Sequence, residues 1–177
     1  LIALFFLFFN QNNFSTTFFS LVSSISNIGF SFNTYDQNNF FFLILVIIGG
    51  SLVSTSSGLR FFKIYLLAKF SFNELVSHSK PKHVLLNKVL FSKIKIDLND
   101  INKYFFTVII FILSLIFLVS LLTIFDVKFD QAFKLGILTL MNTVNSNLYG
   151  IEDLNFVEFS YTLKYILILF MIIGRIE

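Results

Sequence analysis

Two stretches of this chain, Phe40 to Leu59 and Tyr104 to Phe125, contain no charged side chain. At ~1.5 Å of rise per residue, each is long enough to cross a hydrocarbon layer of ~30 Å as a helix. That constraint decides the class before any motif is considered. Soluble folds rarely hold two such runs, and only 13% of the residues are charged, against about 25% in an ordinary soluble domain. With 27 phenylalanines and 56% hydrophobic residues, the chain reads as an all-α membrane protein. There is no cysteine, which excludes a disulfide framework and a thiolate metal site. The first residues, LIALFFLFF, have no basic flank and no small-residue cleavage site after them, so they do not read as a signal peptide. The chain reads as an internal piece of a longer protein, because it opens and closes inside apolar runs.

The charge is unevenly placed. Nine of the 13 basic residues lie between Arg60 and Lys103, against three acids there, Glu74, Asp97 and Asp100. By the positive-inside rule this connection, residues 76–102 with the sole proline Pro81, is expected on the cytoplasmic side. It reads as a solvated loop near lipid headgroups, not as a nucleic-acid surface. His78 and His83 are separated by Pro81 and have no carboxylate cluster beside them, so they do not suggest a metal site, which needs three or four converging ligands. No nucleophile–base set or phosphate-binding glycine loop is visible, and the chain does not read as an enzyme.

Taken in order, Leu1 to Phe9 is too short to span. Phe14 to Ile25 predicts a short helix, capped by Asn13 or Ser15. Its load of hydroxyls (Ser15, Thr16, Thr17, Ser20, Ser23, Ser24) suits a re-entrant helix buried in protein better than one facing lipid. The run from Phe40 to Leu59 is expected to break near its middle. Gly49-Gly50-Ser51 and Ser54-Thr55-Ser56-Ser57-Gly58 cluster there, and each glycine weakens a helix by roughly 1 kcal/mol relative to alanine. Freed backbone at that depth is tolerated where it lines a cavity or is buried in protein. Tyr104 to Phe125 is the cleanest span. A short helix is expected from Asp130, as cap, to Met141, followed by the polar stretch Asn142 to Asn147. An outer connection carries Glu152, Asp153 and Glu158, and a last helix starts at Tyr161. Arg175, ~21 Å along that helix, would lie within the membrane or at its cytoplasmic edge; an intramembrane arginine is a functional candidate by default. The order is span, short helix, polar turn, span, repeated. Such units build cation filters, in which the negative end of a short helix and backbone carbonyls replace the water around an ion.

Several segments carry a family resemblance. Ser24-Ile25-Ser26-Asn27-Ile28-Gly29-Phe30 resembles the third filter of the TrkH/KtrB potassium-uptake proteins. The stretch from Ile48 to Arg60 is similar to that family's intramembrane loop, with Lys63 near a family arginine. Thr139-Leu140-Met141-Asn142 resembles the approach to the fourth filter. Met171-Ile172-Ile173-Gly174-Arg175-Ile176-Glu177 is similar to the end of the last pore-lining helix, and the length of the basic connection is nearer TrkH than KtrB.

The resemblance implies four repeats around a pseudo-fourfold pore, of which residues 1–75 would be the third, 76–102 the cytoplasmic connection and 103–177 the fourth. It implies multi-pass insertion in the cell membrane and conduction of K⁺ as the transported ion, with no other cofactor. It implies a filter of Asn27, Ile28, Gly29 and Phe30 with Asn142, Thr143, Val144, Asn145 and Ser146. It also implies a gating loop of Gly49, Gly50, Ser54, Thr55, Ser56, Ser57 and Gly58, with Arg175 as the pore arginine facing it. The implied partners are a second copy of the chain in a homodimer, the lipid bilayer, and a cytosolic nucleotide-binding ring of the TrkA type.

Two positions depart from the family pattern. Ser57 stands where the loop usually has a second glycine. The fourth filter lacks its glycine: forward alignment from Thr139 puts Val144 there, and backward alignment from Gly174 puts Ser146 there. The departure leaves open a K⁺-selective pore, a pore of relaxed Na⁺/K⁺ selectivity, and a nonconducting scaffold derived from one.

Overall fold

A computed structural model of the chain describes residues 14–30, 39–49, 61–79, 98–145, 149–151, 156–157 and 159–175. These residues form six helices: α1 (Phe14–Ile25), α2 (Asn39–Ile48), α3 (Phe61–Ser79), α4 (Leu98–Ile124), α5 (Phe129–Met141) and α6 (Tyr161–Arg175). Among the described residues there is no strand. The architecture is all-α and fits a fragment of a membrane protein.

The short helix α5 is the hub. It packs against α4, α6 and α2, while α1 packs on α2 and α3 on α4. From Leu135 to Met141 every α5 residue is buried, so the helix is enclosed on all sides. Leu118, Val119 and Leu122 of α4, Leu163, Leu167 and Phe170 of α6, and Phe42, Leu43 and Val46 of α2 complete one continuous core around it. Gly136 lets α4 come close: a methyl group there would lie 3.2 Å from Val119 Cγ2 and 3.3 Å from Leu115 Cδ1.

The outer surface is apolar. Ile112, Leu113, Ile116 and Phe117 of α4 are all exposed. Of the described helices, α4 alone is long and apolar enough to cross a membrane by length and composition, over Ile101–Ile124. Helix α1 is inverted relative to a soluble helix. Ser20, Ser23 and Ser24 are buried, Ser24 completely, while Phe18 is 54% and Val22 47% exposed. Water would favour the opposite arrangement; a hydrocarbon surround favours this one.

The expected break in the Phe40–Leu59 run is found at Gly49, and three other expectations about element limits are corrected. Helix α2 ends at Ile48, so its ten residues span only ~15 Å and do not cross unaided; the uncharged run is interrupted at Gly49, and residues 50–60 lie outside those described. Helix α3 continues to Ser79, into what reads as a connection, because Asn73 and the exposed Glu74 extend a helix as readily as a loop. Helix α4 starts at Leu98, before the uncharged run, for the same reason. Asp130 does not cap α5. Lys128 holds the cap position without a side-chain bond, and Asp130 sits in the first turn, paired at 2.7 Å with Lys134 one turn on. An acid there suits the positive end of the helix. Leu1 to Asn13, Glu152, Asp153 and Glu158 lie outside the described residues.

Leu138 is 1% exposed at the centre of the core and Leu113 is 60% exposed on α4. Leu138→Ala is expected to cost about 2–5 kcal/mol through the cavity it leaves, and Leu113→Ala less than ~0.5 kcal/mol. Thermal melting of the full-length protein in detergent checks this; equal shifts for the two variants would contradict the core assignment.

Candidate functional site

Helices α1 and α5 end in the same way. Beyond α1, the Asn27 N–H donates to Ser24 O at 3.2 Å and the Ile28 N–H to Ser23 O at 3.0 Å. Beyond α5, the Asn142 N–H donates to Thr139 O at 3.2 Å and the Thr143 N–H to Leu138 O at 3.0 Å. Each turn is closed by an asparagine in the left-handed region, Asn27 at φ 56° and Asn142 at φ 53°. This is a Schellman-type ending, and it satisfies carbonyls that a helix otherwise leaves open. The match extends back into the helices. The Ser24 hydroxyl donates to Ser20 O at 2.8 Å, and the Thr139 hydroxyl to Leu135 O at 2.7 Å.

Carried forward residue by residue, this register sets Ile28 opposite Thr143 and Gly29 opposite Val144. This register coincides with the forward of the two alignments the sequence allows. Counting back presumes an outer connection of fixed length, yet the connection from Val144 to Gly174 is ten residues longer than that from Gly29 to Gly49. Ser146 lies outside the described residues. The two positions differ in backbone: Gly29 has φ 89°, whereas Val144 has no positive φ.

The two segments meet. The Val144 N–H donates to Ile28 O at 3.2 Å. A methyl group on Gly29 would lie 2.8 Å from Thr143 Cγ2 and 3.0 Å from Val144 N, and would overlap Val144 O. Gly29 is therefore required twice, by its φ and by this contact. Gly29, Asn27 and Thr143 are buried; Ile28, Phe30 and Val144 are exposed, and Asn145 is half-buried.

Behind each turn, the next helix presses a glycine against the helix end. A methyl group on Gly49 would lie 2.6 Å from Ile25 O, and one on Gly174 would overlap Leu140 O. Ile25 and Leu140 are equivalent in the register above, so Gly49 and Gly174 are equivalent too. The residue after Gly174 is Arg175, exposed at the end of α6; the residue after Gly49 is Gly50. The Asn142 amide adds a bond, Nδ2 to Met171 O at 2.9 Å. Gly50, Ser54, Thr55, Ser56, Ser57 and Gly58 lie outside the described residues, as does His83.

Among the described residues, three side-chain oxygens near the meeting point are buried without a hydrogen-bond partner: Ser23 Oγ, Thr143 Oγ1 and Asn145 Oδ1. Tyr149, on the connection outside the helices, is fully buried with its hydroxyl facing Ser24. Burial pushes its phenol up to about 12, with Ser24 drawing it slightly back, so it stays neutral. Sequence reading misses Tyr149, the Asn142–Met171 bond and the pairing of the glycines. The recurrence of Ile47-Ile48-Gly49 as Ile172-Ile173-Gly174 is the signal that could have revealed the pairing. Among the described residues, no cluster of three or more His, Asp or Glu side chains could hold a metal ion. The site offers backbone dipoles and neutral oxygens, which suit a weakly held cation better than covalent chemistry.

Gly29→Ala and Gly174→Ala are each expected to destabilise the purified protein by about 1–3 kcal/mol, the first by backbone strain and collision, the second by collision alone. Wild-type melting in both would contradict the close contacts.

No protein-family model matches the sequence, and no curated protein does. The fold, however, is similar to that in the crystal structure of the potassium transporter TrkH from Vibrio parahaemolyticus. The TM-score is 0.83 at 23% identity, over 98% of this chain and 39% of that one. The chain thus spans about two fifths of the length of that transporter, and what the two share is the all-α fold.

Proposed function

We infer that this chain forms two units of a transmembrane potassium-uptake pore, with residues 1–75 and 103–177 as the third and fourth of four. The observation that carries this reading is the meeting of two helix ends at Gly29 and Val144, on a fold shared with a potassium transporter. Helix C-termini carry partial negative charge, and polar backbone brought together at membrane depth is the material of a cation filter. In this reading Asn27 to Phe30 and Asn142 to Ser146 line the K⁺ path. The loop from Gly49 to Gly58 gates it, and Arg175 faces that loop from α6. The pore is a homodimer in the cell membrane, multi-pass, with residues 76–102 cytoplasmic, and a cytosolic nucleotide-binding ring of the TrkA type regulates it.

One observation favours a second reading, a pore of relaxed Na⁺/K⁺ selectivity. Val144 occupies the position equivalent to Gly29 with a side chain, and without the positive φ. The Val144 backbone therefore presents its carbonyl differently from Gly29, and one quarter of the filter departs from fourfold equivalence.

The deciding experiment is ⁸⁶Rb⁺ uptake into liposomes carrying the full-length protein with its cytosolic partner, with K⁺ or Na⁺ as competitor. Block by K⁺ alone is the expected result for a selective pore, equal block by both for a relaxed one. Gly29→Asp is expected to abolish uptake or invert selectivity without loss of membrane insertion, and Val144→Gly to raise the preference for K⁺. Absence of uptake in a well-folded wild-type preparation would leave a nonconducting scaffold as the reading.

A further inference from the structure

The bond from Asn142 to Met171 adds a specific polar tie between two parts that are otherwise held by packing. Asn142 is the hinge residue of the second turn, at φ 53° and ψ 37°, and its backbone N–H is already committed to Leu138 O and Thr139 O. Its side chain is therefore not needed to close the turn; an αL residue with no side chain, glycine, closes such turns well. The side chain reaches instead across 29 residues of sequence to a main-chain carbonyl of α6.

The carbonyl it reaches has a particular place. Met171 is four residues before Arg175, and in an α-helix the N–H of residue i bonds to the carbonyl of residue i−4. Met171 O is thus the helical acceptor for Arg175, and the Asn142 amide takes its second lone pair. One residue earlier, Gly174 lies against Leu140 O at the end of α5. The last turn of α6 is held to the end of α5 at two points, one an apposition of backbones and the other the amide. The residues that follow Asn142 are Thr143 and Val144, and Val144 carries the bond to Ile28 O.

The first unit shows the same disposition independently. Asn27 is buried, and its Oδ1 lies 3.0 Å from where a methyl group on Gly49 would sit. In both units the asparagine side chain is turned toward the helix that follows.

We propose that Asn142 is a positioning residue that ties the Arg175 end of α6 to the Thr143–Val144 segment, so that the placement of α6 sets how well the site discriminates between cations. The proposal rests on the conduction reading given above, and assigns to Asn142 a regulatory role distinct from lining the ion path. A shift of the α6 end pulls on the backbone next to Val144 through this amide. Without the bond, the packing of α6 on α5 remains.

The test uses the full-length protein in liposomes, with ⁸⁶Rb⁺ uptake measured against graded K⁺ or Na⁺. Asn142→Gly keeps the left-handed turn and removes the amide. Asn142→Asp keeps shape and turn preference and replaces the donor with an acceptor. Both variants are expected to shift the ratio of half-blocking K⁺ and Na⁺ concentrations by roughly fivefold, the scale of one hydrogen bond, with melting close to wild type. Gly29→Asp serves as the control for conduction. Wild-type competition in both Asn142 variants, while Gly29→Asp is inactive, overturns the proposal and leaves the conduction reading standing. Loss of uptake together with a lowered melting temperature in both Asn142 variants overturns it as well, since the bond is then only structural. Wild-type uptake by Gly29→Asp removes the conduction reading, and the proposal with it.

Discussion

Everything at the centre of this chain depends on how two short helices end where water is scarce. A helix leaves its last carbonyls without partners, and in a low-dielectric surround each open group costs several kcal/mol. Both α1 and α5 answer with the same turn: an asparagine in the left-handed region, with two main-chain N–H groups folded back onto the helix. That turn throws the following residues across the helix end and brings Gly29 and Val144 face to face. It also leaves room for only one kind of neighbour behind, a glycine of the next helix, which is why Gly49 and Gly174 sit where they do. Helix end, asparagine, crossing segment and backing glycine form one device, built twice.

The two copies are alike in frame and unlike in filling. Where the first has Gly29, the second has Val144; where the first has Gly50 after its backing glycine, the second has Arg175. The glycine of the first copy is required by contact with the second, so the contact is asymmetric even though the frames match. The second copy brings both the bulk of Val144 and the charge of Arg175, neither of which the first copy has at the matching position.

Much of the fold was legible in the sequence. The extent of α1, Phe14 to Ile25, could be read from the sequence, and α4 from its uncharged run. The break at Gly49 followed from the cost of paired glycines in a helix. The extents of α3 and α4 were less legible, because hydropathy marks where a helix leaves an apolar surround, not where its hydrogen bonding stops. The segments proposed to line the ion path were singled out by their resemblance to a family, yet the register of the second one was not. Spacing alone left Val144 and Ser146 as equal choices, and only the hydrogen bonds at Asn142 and Thr143 distinguish them. Tyr149 and the Met171 carbonyl gave no signal at all, since a buried phenol on a connection and a main-chain acceptor leave no trace in composition.

The inverted face of α1 bears on how the molecule is made. A helix with Ser20, Ser23 and Ser24 on its inner side gains little from entering lipid alone, since those hydroxyls would have only their own backbone to bond. The group that closes off Ser24 is Tyr149, and the segment that meets Gly29 is Val144; both are synthesised more than a hundred residues later. The first unit therefore cannot be finished when it leaves the ribosome. Helix α1 acquires its full set of inner contacts only after the second unit has been made.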